Sequence, residues 1–218
     1  MQHSTLNYMI GENEKIIWRG KPDFICFILE SIFNPLLPFA LVWGLFDSMF
    51  IFLFFAGAKG MTQTAGELTF IPLIAFFALH LMPVWIYLFG VIFSTLKYKH
   101  TEFIITDKGV YCSGGIFAQT FEHKPFAELS HVNLHRGIID QFVGVGDVVL
   151  TSNQDGYNTR EGHSTYRGIT ICDIRDFEQV YKFVKKLQTD IYTDTMYPND
   201  LRPKENHGYN TEYKGFGN

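Results

Sequence analysis

Asp47 and His80 sit in surroundings unusual for their chemistry. Asp47 lies between PLLPFALVWGLF and SMFIFLFFAG, and His80 lies within LIAFFALHLMPVWIYLFGVIF. A carboxylate and an imidazole in apolar surroundings hydrogen-bond strongly or pass a proton between them. Alone at the centre of a bilayer, the carboxylate would cost at least about 2.5 kcal/mol. If the two runs form an antiparallel hairpin turning at Ala58 to Glu67, then Gly57 to Asp47 and Phe70 to His80 are equal walks inward. The two groups would then reach the same depth and pair near the bilayer midplane. Glu30 and Asn34, one helical turn apart at the head of the first run, would share a face best used against a neighbouring helix.

The remaining chemistry-bearing residues support no catalytic or metal site. His131 and His135 in HVNLH have the spacing of two zinc ligands on a helix, but the surrounding pattern is that of a strand. Four strand positions span about 13 Å, too far for ligands held about 2 Å from one ion, so no metal is expected. His100, His123 and His163 have no companion at ligand spacing. There is no nucleophile motif and no phosphate loop, since Gly144 and Gly146 follow a loop and lead into a strand, as in a tight turn at a barrel corner. No catalytic residue and no cofactor is expected, and the chain is read as not an enzyme. Cys26, Cys112 and Cys172 cannot all pair and fit free thiols in a reducing cytoplasm. A net charge of -4 gives no basic stripe for nucleic acid.

These residues hang on two long apolar runs between Phe24 and Leu96. Runs of about 18 or more apolar residues cross a bilayer as helices, and these show no polar stripe of the kind a soluble core helix needs. Asn34 as cap and Pro35 in the first turn start a span over 35–57, about 34 Å long, and leave Phe24 to Phe33 partly interfacial. The rival span, Phe24 to Phe46, puts Asp47 at the outer surface and strands SMFIFLFFAG outside the bilayer. The second span covers 68–94, with a bend expected at Pro83. Residues 1–23 read as a cytoplasmic lead-in. Trp18, Arg19 and Lys21 before the first span and Lys97 and Lys99 after the second read as membrane-interface anchors. Set against Lys59 alone in the loop, these cations put both termini in the cytoplasm.

From residue 97 the pattern turns to short β-rich runs. TEFIITDKGVYCSGG reads as a hairpin with Gly109 as the left-handed residue, followed by strands in GIFAQTFEHK, FAELSHVNLHRG, VGDVVLTSN and YRGITICDI. Asp176 caps a closing helix whose Phe177, Val180, Tyr181, Val184, Leu187 and Ile191 form one apolar stripe. Residues 154–166 read as a long polar loop and 192–218 as a flexible tail.

ITDKGV, the Gly-Gly turn, FVGVGDVVLTS, the GITI strand and the last helix, behind two apolar runs and EKIIWRGKP, together resemble the membrane-flanked bacterial pleckstrin-homology (PH) family. The resemblance implies an α+β membrane protein: a two-helix transmembrane hairpin over 24–96, then over 97–191 a partly open antiparallel β-barrel capped by its C-terminal helix. It implies a multi-pass protein of the bacterial cytoplasmic membrane. Specific phosphoinositide binding is not expected, because the opening turn offers only Lys108 beside Asp107. The expected partners are therefore the lipid bilayer and protein, either a second copy in a homo-oligomer or another chain. The expected role is a membrane-anchored interaction or assembly module; the alternative is a small carrier or channel component that uses the polar groups of the hairpin.

Overall fold

The computed structural model describes residues 5–58, 70–152 and 168–196. The expected outer loop, the polar loop at 154–166, the tail aromatics Tyr197, Tyr209, Tyr213 and Phe216 and the side chain of Tyr192 lie outside the described residues. The chain divides into two compact units, Met1–Phe27 with Leu96–Asn218, and Ile28–Thr95.

The helices are α1 (Phe24–Ile32), α2 (Leu36–Ala58), α3 (Phe70–His80) and α4 (Met82–His100); the helical unit, Ile28–Thr95, holds α2, α3 and the greater part of α1 and α4. Asn34 ends one helix and starts the next. Its Oδ1 accepts the Leu36 N–H at 2.8 Å and its amide donates to the Ser31 carbonyl at 2.7 Å. The expectation that Glu30 and Asn34 share a helix face therefore fails: α1 stops at Ile32, and Asn34 spends its side chain on the connection. Tyr87 donates to the Ile32 carbonyl at 3.0 Å, satisfying a group freed at that break.

A second break lies at Leu81, two residues before Pro83, and the segments Ile74–His80 and Met82–His100 meet there at 59°. The Val84 N–H turns to the Leu81 carbonyl, so the His80 carbonyl loses its usual partner. The Trp43 indole takes that carbonyl at 2.8 Å, and the Trp85 indole takes the carbonyl of Ala78 at 3.1 Å. Among the described residues, Leu36–Phe54 is the one unbroken helical stretch long and apolar enough to cross a membrane, and the bent pair qualifies only if taken together. The second run also stays helical to His100, beyond the expected end at Ser94.

The other unit holds two antiparallel sheets. The first has the order β1 (Ile16–Gly20), β2 (Glu102–Thr106), β3 (Gly109–Gly114), β4 (Thr120–Pro125). The second runs β5 (Leu129–His135), β6 (Gly146–Ser152), β7 (Ile169–Ile174). Alternation in the strands turns Phe103, Ile105, Val110, Val148, Leu150 and Ile171 inward, where the stripe of α6 (Phe177–Met196) meets them through Val180, Val184 and Leu187. No ladder joins the two sheets among the described residues, so the barrel is not closed.

Four local expectations are corrected. The supposed lead-in contains β1, which pairs with β2 and buries Trp18 in the core. Gly109 is not left-handed. Thr106 Oγ1 organises that turn by accepting the N–H groups of Lys108 at 3.2 Å and Gly109 at 3.1 Å, and a Cβ on Gly109 would stand 2.7 Å from the Lys124 carbonyl. Gly144 follows a short helix, α5 (Ile138–Val143), and closes it at φ 83°. α6 runs to Met196 and takes in the first five residues of the expected tail.

Candidate functional site

Asp173 is both buried and conformationally constrained in the β unit. It is the only non-glycine residue with positive φ among those described, at 54°, and it is 1% exposed. A bulge puts it there: Gly146 faces Ile174 and Val148 faces Ile171, so Cys172 and Asp173 together oppose Asp147. A bulge re-aims a side chain, and this one turns the carboxylate of Asp173 into the interior. Asp173 Oδ1 has no hydrogen-bond partner.

Three other segments converge on it. Asp23 caps α1 by accepting the N–H groups of Ile25 at 2.9 Å and Cys26 at 3.2 Å, and its own N–H donates to the Asp173 carbonyl at 2.7 Å. That places the Cys26 thiol 3.3 Å from Asp140 Oδ1. Asp140 Oδ2 accepts the Gly137 N–H at 2.6 Å and so starts α5. Asp147 Oδ1 accepts the Asp173 N–H at 2.8 Å, with His135 Nδ1 3.8 Å from Oδ2. Burial, reinforced by Asp147, Asp140 and Asp23 and opposed by the Cys26 thiol, pushes Asp173 up to about 6. Burial and the two flanking carboxylates raise the Cys26 thiol above its ordinary range. For Asp23, burial is outweighed by Arg175, whose Nη2 lies 2.6 Å away, and by the two capping N–H groups, so that carboxyl is held low.

In the helical unit the structure brings Asp47 and His80 together. His80 Nδ1 lies 2.8 and 3.0 Å from the two oxygens of Asp47, and Asp47 is 1% exposed. The imidazole is stacked between Trp43, 5.1 Å away, and Phe76, 5.4 Å away. Nδ1 is thus the ring nitrogen that faces the carboxylate.

The expected interface anchors divide. Trp18 is 8% exposed and donates its indole N–H to Asp176 Oδ2 at 2.6 Å, so it is a core residue and not an anchor. This also turns the Asp176 carboxylate, expected to cap α6, toward β1. Arg19 pairs with Glu102 at 3.3 Å and with Asn7. Lys97 lies over the Phe27 ring at 5.9 Å, while Lys21 and Lys99 are exposed. His131 and His135 stand on strand β5, as the spacing argument required.

The acidic and thiol cluster was not anticipated, because its members are far apart in sequence. One signal was available: in ITICDI, Asp173 occupies the inward alternation of Ile169 and Ile171, where a charged side chain is anomalous.

No curated protein and no solved structure matches the chain. Residues 49–188 match the family described as Bacterial PH domain. That match covers more than half of the chain and takes in strands β2 to β7 and most of the final helix, so the chain belongs to the bacterial PH domain family.

Proposed function

We propose that the chain is a membrane-anchored interaction module. Its helical hairpin lies in the bacterial cytoplasmic membrane, and its PH-like domain docks protein, a second copy or another chain, at the cytoplasmic face. The observation that carries docking is on α5. Ile138 and Phe142, one turn apart, are 77% and 88% exposed, on a domain whose core is otherwise well filled. A domain of this size shows adjacent large apolar groups to solvent mainly where something covers them. The edge strands β1, β4, β5 and β7 offer further backbone groups for strand pairing.

Anchoring is supported by the inverted pattern of the helical unit. Val42, Leu45, Phe52, Leu53 and Leu79 face outward, each at least 58% exposed, while Asp47 is buried. In water that arrangement is unfavourable; in lipid it is the favourable one.

The test is native mass spectrometry of the full chain in detergent, alone and after affinity capture from its own membranes. The wild type should run as an oligomer or with a bound protein, and Ile138→Glu with Phe142→Glu should release it at unchanged circular dichroism. A strictly monomeric wild type with nothing bound overturns docking. It would favour a second reading, carriage of a proton or small ion, whose specific support is the buried Asp47–His80 pair.

A further inference from the structure

Two features of Asp173 are costly, and the Cys26 thiol beside its carboxylate offsets them only in part. A left-handed backbone at a non-glycine residue costs about 1–2 kcal/mol, and a buried carboxylate oxygen without a partner costs about as much again or more. The carboxylates of Asp173 and Asp140 and the Cys26 sulfur offer ligand atoms within 4.8 Å of one another. The nearby cations are committed elsewhere. Arg136 donates to the carbonyls of Val145 and Asp140 and lies over the Phe177 ring, and Arg175 pairs with Asp23. Two buried carboxylates and a thiol thus face one another with a bulge and a strained residue holding them in place. The separation of the Cys26 sulfur and Asp140 Oδ1, 3.3 Å, is close to the roughly 3.5 Å expected of a sulfur and an oxygen ligand on one tetrahedral zinc ion.

We propose that Cys26, Asp140 and Asp173 bind a zinc-class divalent cation. The sulfur ligand selects zinc over magnesium or calcium, which prefer oxygen alone. On binding, Cys26 loses its proton to solvent, the thiolate and the two carboxylates donate to the metal, and the orphaned oxygen of Asp173 gains a partner. Three protein ligands leave a position for water or a further donor. The three side chains come from the first turn of α1, from α5 and from β7, all within the β unit, so the ion would tie these three elements together. This role is independent of the docking reading, since it needs neither a partner nor a membrane.

The experiment is titration of the purified, chelator-treated full chain in detergent with cobalt(II) as a spectroscopic stand-in, followed by displacement with zinc. One equivalent of cobalt should give a thiolate-to-metal charge-transfer band that zinc abolishes. The band should be lost in Cys26→Ser and kept in Cys112→Ser and Cys172→Ser. Asp173→Asn should weaken zinc at least tenfold, and zinc should raise the melting temperature of the wild type but not of Cys26→Ser. Absence of the band in a wild type folded by circular dichroism overturns the proposal, as does a band that survives in Cys26→Ser. A zinc-insensitive wild type that Asp173→Asn stabilises also overturns it and marks Asp173 as an acid sharing a proton with its neighbours.

Discussion

Asp47 and His80 are unequal partners, and the inequality predicts an order of effects. The Asp47 side chain is 2% exposed, whereas the imidazole is 31% exposed. Removing the imidazole leaves the buried Asp47 carboxyl without its partner, whereas removing the carboxylate leaves a partly exposed ring that finds other partners. His80→Gln should therefore destabilise the solubilised chain more than Asp47→Asn. The double variant should be less unstable than the sum of the two by about 1 kcal/mol or more, read from denaturation midpoints. Strict additivity would mean that the pair carries no coupling. The contact itself was legible, because Asp47 and His80 lie at equal distances in sequence from the segment between the two apolar runs. Trp18 was misread for a related reason. A tryptophan beside arginine and lysine reads the same whether it faces lipid or a core, and only the partner strand β2, more than 80 residues away, decides between them. Asp173 carried one readable signal, its place on the inward alternation of ITICDI, but the bulge that holds it leaves no signature in composition.

Among the elements, two glycines share a left-handed backbone but not the same surroundings. Gly115, at φ 100°, lies against the carbonyl of Ala118, which an added Cβ would strike. Gly144, at φ 83°, has nothing near its Cβ direction. Gly144→Ala should thus cost only the backbone term, about 1–2 kcal/mol. Gly115→Ala adds a clash with main chain that cannot rotate away, and should cost at least about 2 kcal/mol more. Urea unfolding of the two variants checks this, and equal losses would show that the turn between β3 and β4 gives way. The strands and the stripe of α6 were readable because their periods of 2 and 3.6 persist over enough residues. α5 was not, since IIDQFV is too short for a helical period and is held by tertiary geometry, with Asp140 at its start and Gly144 at its end. The extension of α6 to Met196 was lost for the same reason: Thr193 and Asp194 break the apolar stripe without breaking the helix.

At the scale of the whole molecule, the two units invert each other's rule. The β unit buries isoleucine and valine, and the helical unit turns leucine and phenylalanine outward around a buried aspartate. One solvent does not suit both, which is why the proposed arrangement puts the first in water and the second in lipid. Charge orients the proposed hairpin. Arg19 and Lys21 precede α1, Lys97 and Lys99 end α4, and Lys59 alone follows α2. Cations close to a span are retained on the cytoplasmic side, so the proposed orientation keeps the β unit inside and puts residues 59–69 outside. In intact cells a membrane-impermeant thiol reagent should modify Thr64→Cys and leave Gly156→Cys untouched, with the unsubstituted chain as the blank for its three native thiols. After permeabilisation both positions should react, which confirms that Gly156→Cys is chemically competent. Modification of Gly156→Cys but not Thr64→Cys in intact cells would reverse the orientation. Modification of both without permeabilisation would remove the bilayer from between them, and with it the premise that the outward leucines and phenylalanines of α2 face lipid.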